Sequence, residues 1–469
     1  MKKILFAPLA VILLASFILI ASCEEGNEVV VVKPDSERNI TNVSPCIDCG
    51  RLICVCCNIC FHGPCICCMI CPPGECICPP CDECNSPGRC LCVIFSPYKK
   101  VDWSWNQYKA SHHSHTTNSD GGVTLNAVIE EHYLRGYDIL AITDHSEFEN
   151  HLFTTATGSV NGITQTRFDE MTNGTGRNNR GMMIIPGTSE QRLGGNAEEM
   201  NAFWYPHVTF PATSNNWPGW NTTFEYVMSE VQKVNGISFI NHPGRTTGGN
   251  NTTHVGTRAS NNPLNVRTYA NRYLAFRNCI GMEVFNREDG DSRNDRILWD
   301  NVLKITIPKG KYVWGFANDD SHSNNAIGVN MNMLLMPESN LDNIKSAMMN
   351  GYFYMTARTG HHEGVVVSRS SQLPFPKITN IEISTANLTI TINAEECTKI
   401  VWIAGGTSGI SGDNLAAGGG IIIAEGTTFP ATLDLTAIGM PLDELGGYVR
   451  ANIIGPGGLA LTQPFGIRP

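Results

Sequence analysis

The chain has 469 residues, 42% of them hydrophobic and only 16% charged, with a formal net charge of −10. No Lys/Arg block interrupts that acidic balance, which argues against a protein that grips long nucleic acid through its phosphates. Small anionic partners stay open, because a bound cation can dominate the local field, and the length suggests about three domains.

Residues 1–22 start with Lys2 and Lys3, continue as an apolar run and close on small residues, the layout of a secretory signal peptide. The end of that run, "LIASC", resembles the lipobox of bacterial lipoproteins. The resemblance implies lipidation at Cys23, a membrane contact through that lipid, and a periplasmic or cell-surface location. An uncleaved membrane anchor is the alternative, since the run is nearly long enough to span a bilayer. Either arrangement leaves the two lysines inside and the rest outside the cytoplasm. Residues 23–45 read as a tether.

Of 19 cysteines, 16 lie between Cys46 and Cys92, in an 11-residue repeat such as "CVCCNICFHGP" and "CICCMICPPGE". So dense a segment (residues 46–92) cannot bury an apolar core, so cross-links must hold it. Disulfides suit an extracytoplasmic setting; soft-metal binding and a mostly disordered stalk are the other readings.

Residues 103–370 alternate helical and strand patterns. "TLNAVIEEHYLRG" sets Leu125, Val128, Ile129 and His132 on one helical face, with Thr124 as N-cap and Gly136 as the stop. "YDILAIT" then reads as a short buried strand, and similar pairs recur down to "LDNIKSAMMNG" and "YFYMTA". Strands alternating with helices predict an α/β domain with a largely parallel sheet. Residues 375–469 lose the helical pattern and predict a separate C-terminal all-β, sandwich-like domain.

Five predicted strands deliver a His, Asp or Glu at their C-terminal ends: His113 and His115, then Asp144-His145, Glu190, His242, and Asp320 with His322. In β/α barrels that edge is where side chains converge. A His-x-His pair alone is usually surface polarity, and Glu190 or His242 alone says nothing. Five such events together predict a metal site.

The ordered series resembles the PHP (polymerase and histidinol phosphatase) superfamily of metal-dependent phosphoesterases. "HHSHTTNSDG", "GYDILAITDHSE", "IIPGTSE", "FINHPGR" and "GFANDDSHS" match its motifs in order. The resemblance implies a distorted seven-stranded (β/α) barrel holding two or three divalent ions, of Zn, Mn or Fe. It places His113, His115, Glu190 and Asp320 on a first ion, and Glu190 with His242 on a second. Asp120, His145 and His322 fall on a third, with Asp120 where other members have histidine. Where members carry a further histidine, this chain has Glu199, with Glu198 and His207 as alternatives. His112 is expected to be a bystander. The implied reaction is attack of a metal-bridging hydroxide on a small phosphate ester, with Asp320 handling the nucleophile's proton and Arg245 on a phosphate oxygen. Arg192 and Arg358 are weaker phosphate candidates, and Glu283 either supports a ligand or is structural. The C-terminal segment looks like a module carried by extracytoplasmic members. Two other functions compete: an inactive scaffold binding glycan or protein at the cell surface, and a cysteine tract storing metal for the barrel.

Overall fold

The computed structural model describes residues 94–145, 162–193, 198–205, 223–247, 260–289, 292–406 and 420–468, and two short strands nearer the N-terminus. Contacts divide the chain into Met1–Cys54 and Val55–Pro469. Within the first unit, Ile20–Ala21 and Val30–Val31 pair antiparallel. Cys23, the cysteine-rich segment, His207 and otherwise the signal and tether segments lie outside the described residues.

The second unit contains strands β1 (Ile94–Phe95), β2 (Asn106–Ser111), β3 (Ile139–Leu140), β4 (Met183–Ile184), β5 (Ser189–Leu193), β6 (Glu198–Phe203), β7 (Ile237–Asn241), β8 (Cys279–Asn286), β9 (Trp314–Asn318), β10 (Asn330–Met336) and β11 (Phe353–Ala357). Helices α1 (Leu125–Leu134), α2 (Gln165–Thr172), α3 (Phe224–Lys233), α4 (Pro263–Ala275), α5 (Ser292–Thr306) and α6 (Leu341–Asn350) alternate with them. Local chemistry explains the helix ends. Thr124 caps α1 by accepting from the Ala127 amide, and Leu125, Val128, Ile129 and His132 are its buried face. Helix α6 stops at Gly351, whose φ of 74° and contact with the Trp314 ring exclude any side chain.

The strands form two sheets rather than the expected closed barrel. One runs β9-β8-β7-β6-β5; the other contains β11-β10-β2-β3-β4. One apolar cluster takes Ala110 and Ile139 from the second sheet and Phe203, Phe239 and Phe316 from the first, so the sheets face each other across it. Side chains replace strand ladders at one seam. Asn332 of β10 accepts from the Ala317 amide (3.0 Å) and donates to the Ala317 carbonyl (2.9 Å). Gln463 does the same for Gly315, at 2.9 Å each way. Carboxamides thus satisfy the backbone edge that a neighbouring strand would otherwise pair. Single bridges between Ser114 and Ser321 and between His145 and Glu190 draw the sheets together at their C-terminal ends.

The C-terminal segment is not a separate sandwich. It adds β12 (Lys377–Ser384), β13 (Thr389–Glu395), β14 (Lys399–Ala404), β15 (Ile421–Gly426), β16 (Ala431–Asp434), β17 (Tyr448–Gly455), β18 (Gly458–Leu461) and β19 (Phe465–Ile467). Strand β18 pairs with β11, extending the second sheet through β17, β14 and β15. Strands β12, β13 and β16 form a small second layer, with Ile378, Ile392, Trp402 and Ile453 in the core between. The alternation that predicted strands was sound; it carried no information about their partners. A buried ion pair strengthens the join: Arg450 of β17 grips Asp300 of α5 through two hydrogen bonds of 2.9 Å.

Candidate metal centre

Beyond Ser111, alternation along the extended chain sends neighbouring histidines opposite ways. His112 packs edge-on against Phe203 and Phe316 in the core, and burial lowers its pKa to about 3, so it is neutral and apart from the polar centre. His113 and His115 turn toward Glu190 of β5 and Asp320, which follows β9. His242, one residue past β7, and Asp320 both have left-handed backbone, at φ 23° and 46°. Such conformations in bulky residues need support from their surroundings and gather at functional sites.

The histidine Nε2 atoms of His113 and His115 stand 3.0 Å apart. His113 Nε2 lies 3.3 Å from Glu190 Oε1 and 3.4 Å from Asp320 Oδ1; His115 Nε2 lies 3.2 Å from Glu190 Oε2 and 3.3 Å from Asp320 Oδ1. Four atoms placed tetrahedrally at about 2.0–2.2 Å from one ion are about 3.3–3.6 Å apart. The separations of 3.0–3.4 Å lie close to that range, and imidazoles with carboxylates are donors that suit a divalent cation. Next to it, His242 Nε2 is 3.3 Å from Glu199 Oε2 and 3.6 Å from Glu190 Oε1. On the other side, Asp120 reaches His145 Nε2 and His322 Nε2 at 3.2 Å each. Glu190 links these regions, since its Oε2 also lies 3.0 Å from His145 Nδ1.

Neighbouring residues fix the ligands' directions. Glu283, fully buried, accepts from His113 Nδ1 at 2.8 Å and from the His242 amide at 3.0 Å, leaving His113 Nε2 aimed at the centre. Asn241 donates to Glu190 Oε1. Asp144 accepts 2.6 Å bonds from the Thr116 amide and hydroxyl and from Ser119, shaping the loop that carries Asp120. Arg245 and Arg287 both donate to Asp320 Oδ2, at 3.1 and 2.9 Å.

Electrostatics explains how so many ionisable groups share this volume. Burial alone would lower the pKa of His115, but hydrogen bonds and charge from Asp320 and Glu190 outweigh it and raise it to about 9. His113 is likewise pulled up, against burial, by Glu283, Glu190 and Asp320. Burial pushes Glu190 and Asp320 upward, yet their histidine partners hold both well below the carboxylate range. A cation held by these residues would replace the imidazole protons and take over their neutralising role.

Glu199 faces His242, whereas adjacent Glu198 meets Tyr269 and Arg272 on the other side of the strand. Arg358 does not face the centre: it donates to the Leu373 and Gly457 carbonyls and covers the Phe375 ring, a structural post. The Arg192 side chain lies outside the described residues. Sequence reasoning missed Arg287, Asn241 and Asn286, the last of which accepts from Arg245 at 2.8 Å and donates to Glu283 at 2.9 Å. Asn241 was within sight, being the residue before His242; Arg287 sits on a left-handed turn that no periodicity marks.

A cleft of about 1120 Å³ opens beside the centre, walled by His242, Arg245, Arg287, Asp295, Asp320 and His322 among others. Taken together, the described residues form a mixed α/β fold whose facing sheets bring together buried histidines and carboxylates that could hold metal. No family model and no curated protein matches the sequence. Among solved structures, the chain is similar to a two-domain protein from Bacteroides vulgatus containing a predicted PHP-like metal-dependent phosphoesterase, at 15% identity and TM-score 0.36, over 79% of this chain and 88% of that one. A lesion-specific endonuclease from Pyrococcus furiosus matches at 13% identity and TM-score 0.31, over 52% and 56%. An amidohydrolase from Chromobacterium violaceum, with bound sulfate and no metal, matches at 14% identity and TM-score 0.29, over 45% and 87%. Likeness at this level identifies no activity, and the functional reading rests on the side chains.

Proposed function

We propose that the protein is a metal-dependent phosphoesterase of the PHP type that hydrolyses small phosphate esters. The observation that carries this is the convergence of His113, His115, Glu190 and Asp320 at 3.0–3.4 Å, from strands far apart in sequence. These four would hold one ion, Glu190 with His242 and Glu199 a second, and Asp120 with His145 and His322 a third. Mixed imidazole and carboxylate donors suit Zn²⁺, Mn²⁺ or Fe²⁺. Ions so held lower the pKa of bound water toward about 7 and neutralise charge on a phosphoryl group in flight.

The chain's own groups supply the rest. Asp320 accepts the proton of the attacking water, while Arg245 and Arg287, which now share its outer oxygen, offer guanidinium donors to the phosphoryl oxygens. Glu283 keeps His113 in one tautomer and orientation. We further propose that the protein works outside the cytoplasm, lipid-anchored at Cys23; the basic, apolar, small-residue order of residues 1–23 supports this. Among the described residues no helix is long and apolar enough to cross a membrane.

Metal-stripped and reloaded full chain, assayed on p-nitrophenyl phosphate and bis-p-nitrophenyl phosphate, tests the proposal. Metal-dependent turnover of either is the expected result. No turnover on these or on nucleotides would overturn it and favour a binding scaffold.

A further inference from the structure

Asp295 is an ionisable group of the cleft that has no part in the mechanism above. It lies in the first turn of α5, is fully buried, and lines the cleft with Arg245 and Ser292. Its Oδ1 accepts the Gly244 amide, two residues beyond His242. Its Oδ2 has no hydrogen-bond partner among the described residues. A buried carboxylate oxygen left without a donor is costly, at about 1–3 kcal/mol or more when charged. A carboxylic acid with its hydroxyl turned toward a ligand in the cleft escapes that cost.

Resting on the phosphoesterase reading, we infer that Asp295 is the proton donor to the leaving group: its Oδ2 hydroxyl protonates the ester oxygen as the bond to phosphorus breaks. In that step the water oxygen forms the new bond to phosphorus and the alcohol departs with the Asp295 proton. The carboxylate left behind recovers a proton from solvent, replacing the one the attacking water gave up. Position supports the assignment. Gly244 joins Asp295 to the turn bearing His242 and Arg245, and a Cβ at 244 would stand 2.6 Å from Asp295 Oδ1, so this approach requires glycine. Burial also favours the acid form. It raises the pKa of Asp295 well above the carboxylate range and Glu283 adds to it, against the Gly244 amide, Arg245 and Arg296.

The test compares leaving groups in the metal-loaded full chain. p-Nitrophenolate departs without a proton, whereas an alkyl alkoxide from glycerol phosphate needs one. Asp295→Asn is expected to cut kcat on glycerol phosphate by about 100-fold, the scale of general-acid catalysis, while p-nitrophenyl phosphate changes by less than about threefold. Difference infrared spectra are expected to show a protonated-carboxyl band that Asp295→Asn removes. Equal loss on both esters, or none on the alkyl ester, would overturn the role while leaving the phosphoesterase reading intact. Should Asp295→Asn fail to fold, the wild type decides: a rate nearly independent of leaving group supports the donor, and a steep dependence overturns it. Wild-type protein inactive on both esters sinks the underlying reading and this role with it.

Discussion

The two flanks of the centre are built differently. His113, His115, Glu190 and Asp320 are each 3% exposed or less, and Glu283, Asn241 and two arginines hold them. Across Glu190, Asp120 is 51% exposed and His322 29% exposed, and Asp120 sits in a loop shaped by Asp144. The first flank is preorganised by hydrogen bonds, those to Glu283 and from Asn241 buried away from solvent. The second completes its ligand set from a surface loop. An ion on the first flank is therefore expected to bind tightly and leave slowly, and one on the second to exchange.

Substitutions should break this contrast in graded steps. Glu190→Gln removes the carboxylate common to all three regions. It is expected to reduce turnover by about 1,000-fold, the upper range for losing a charge-stabilising group, and to lower the bound metal measured by elemental analysis. Normal metal content with normal turnover would contradict the bridging role. Glu283→Ala touches no ion, yet frees His113 to turn; metal affinity on the first flank should fall by about 10–100-fold, read by competition with a chelating dye. Asp120→Asn should release the exchangeable ion alone, leaving the rest of the metal in place and costing about tenfold in activity. If it strips the tight ion too, the flanks are one cooperative site.

pH sharpens the comparison most gently. His115 is raised from 6.5 to about 9, so in metal-free protein its ion pairs contribute stability that is full below pH 6.5 and lost as pH rises through 9. Glu190 and Asp320 are depressed, so their contribution is present above the ordinary carboxylate range and disappears only as pH falls through their lowered values. Thermal unfolding of metal-free protein should show a lower Tm at pH 9.5 than at pH 6, a decline that bound metal, which holds the imidazoles neutral, removes.

The site was more legible than the fold around it. His113, His115, His145, Glu190, His242, Asp320 and His322 each follow or occupy a strand, so local pattern and motif sufficed. Glu199 over Glu198 needed the strand's alternation, which decides which of two adjacent carboxylates points inward. Glu283 was visible as a residue, but its grip on His113 spans 170 positions. The open barrel was not legible, because Asn332 and Gln463 satisfy the seam through side-chain amides that resemble any other polar residue in a strand or turn. The shared sheet was hidden for a related reason: Met355 pairs with Leu461, and apolar alternation is silent about partners.

Anomalous scattering from crystals of the metal-loaded full chain addresses the central claim most directly. An ion is expected about 2.0–2.2 Å from His113 Nε2, His115 Nε2 and a carboxylate oxygen of both Glu190 and Asp320, with weaker, more exchangeable density beside Asp120. Protein loaded under the same conditions with no ion between the two histidines would contradict it.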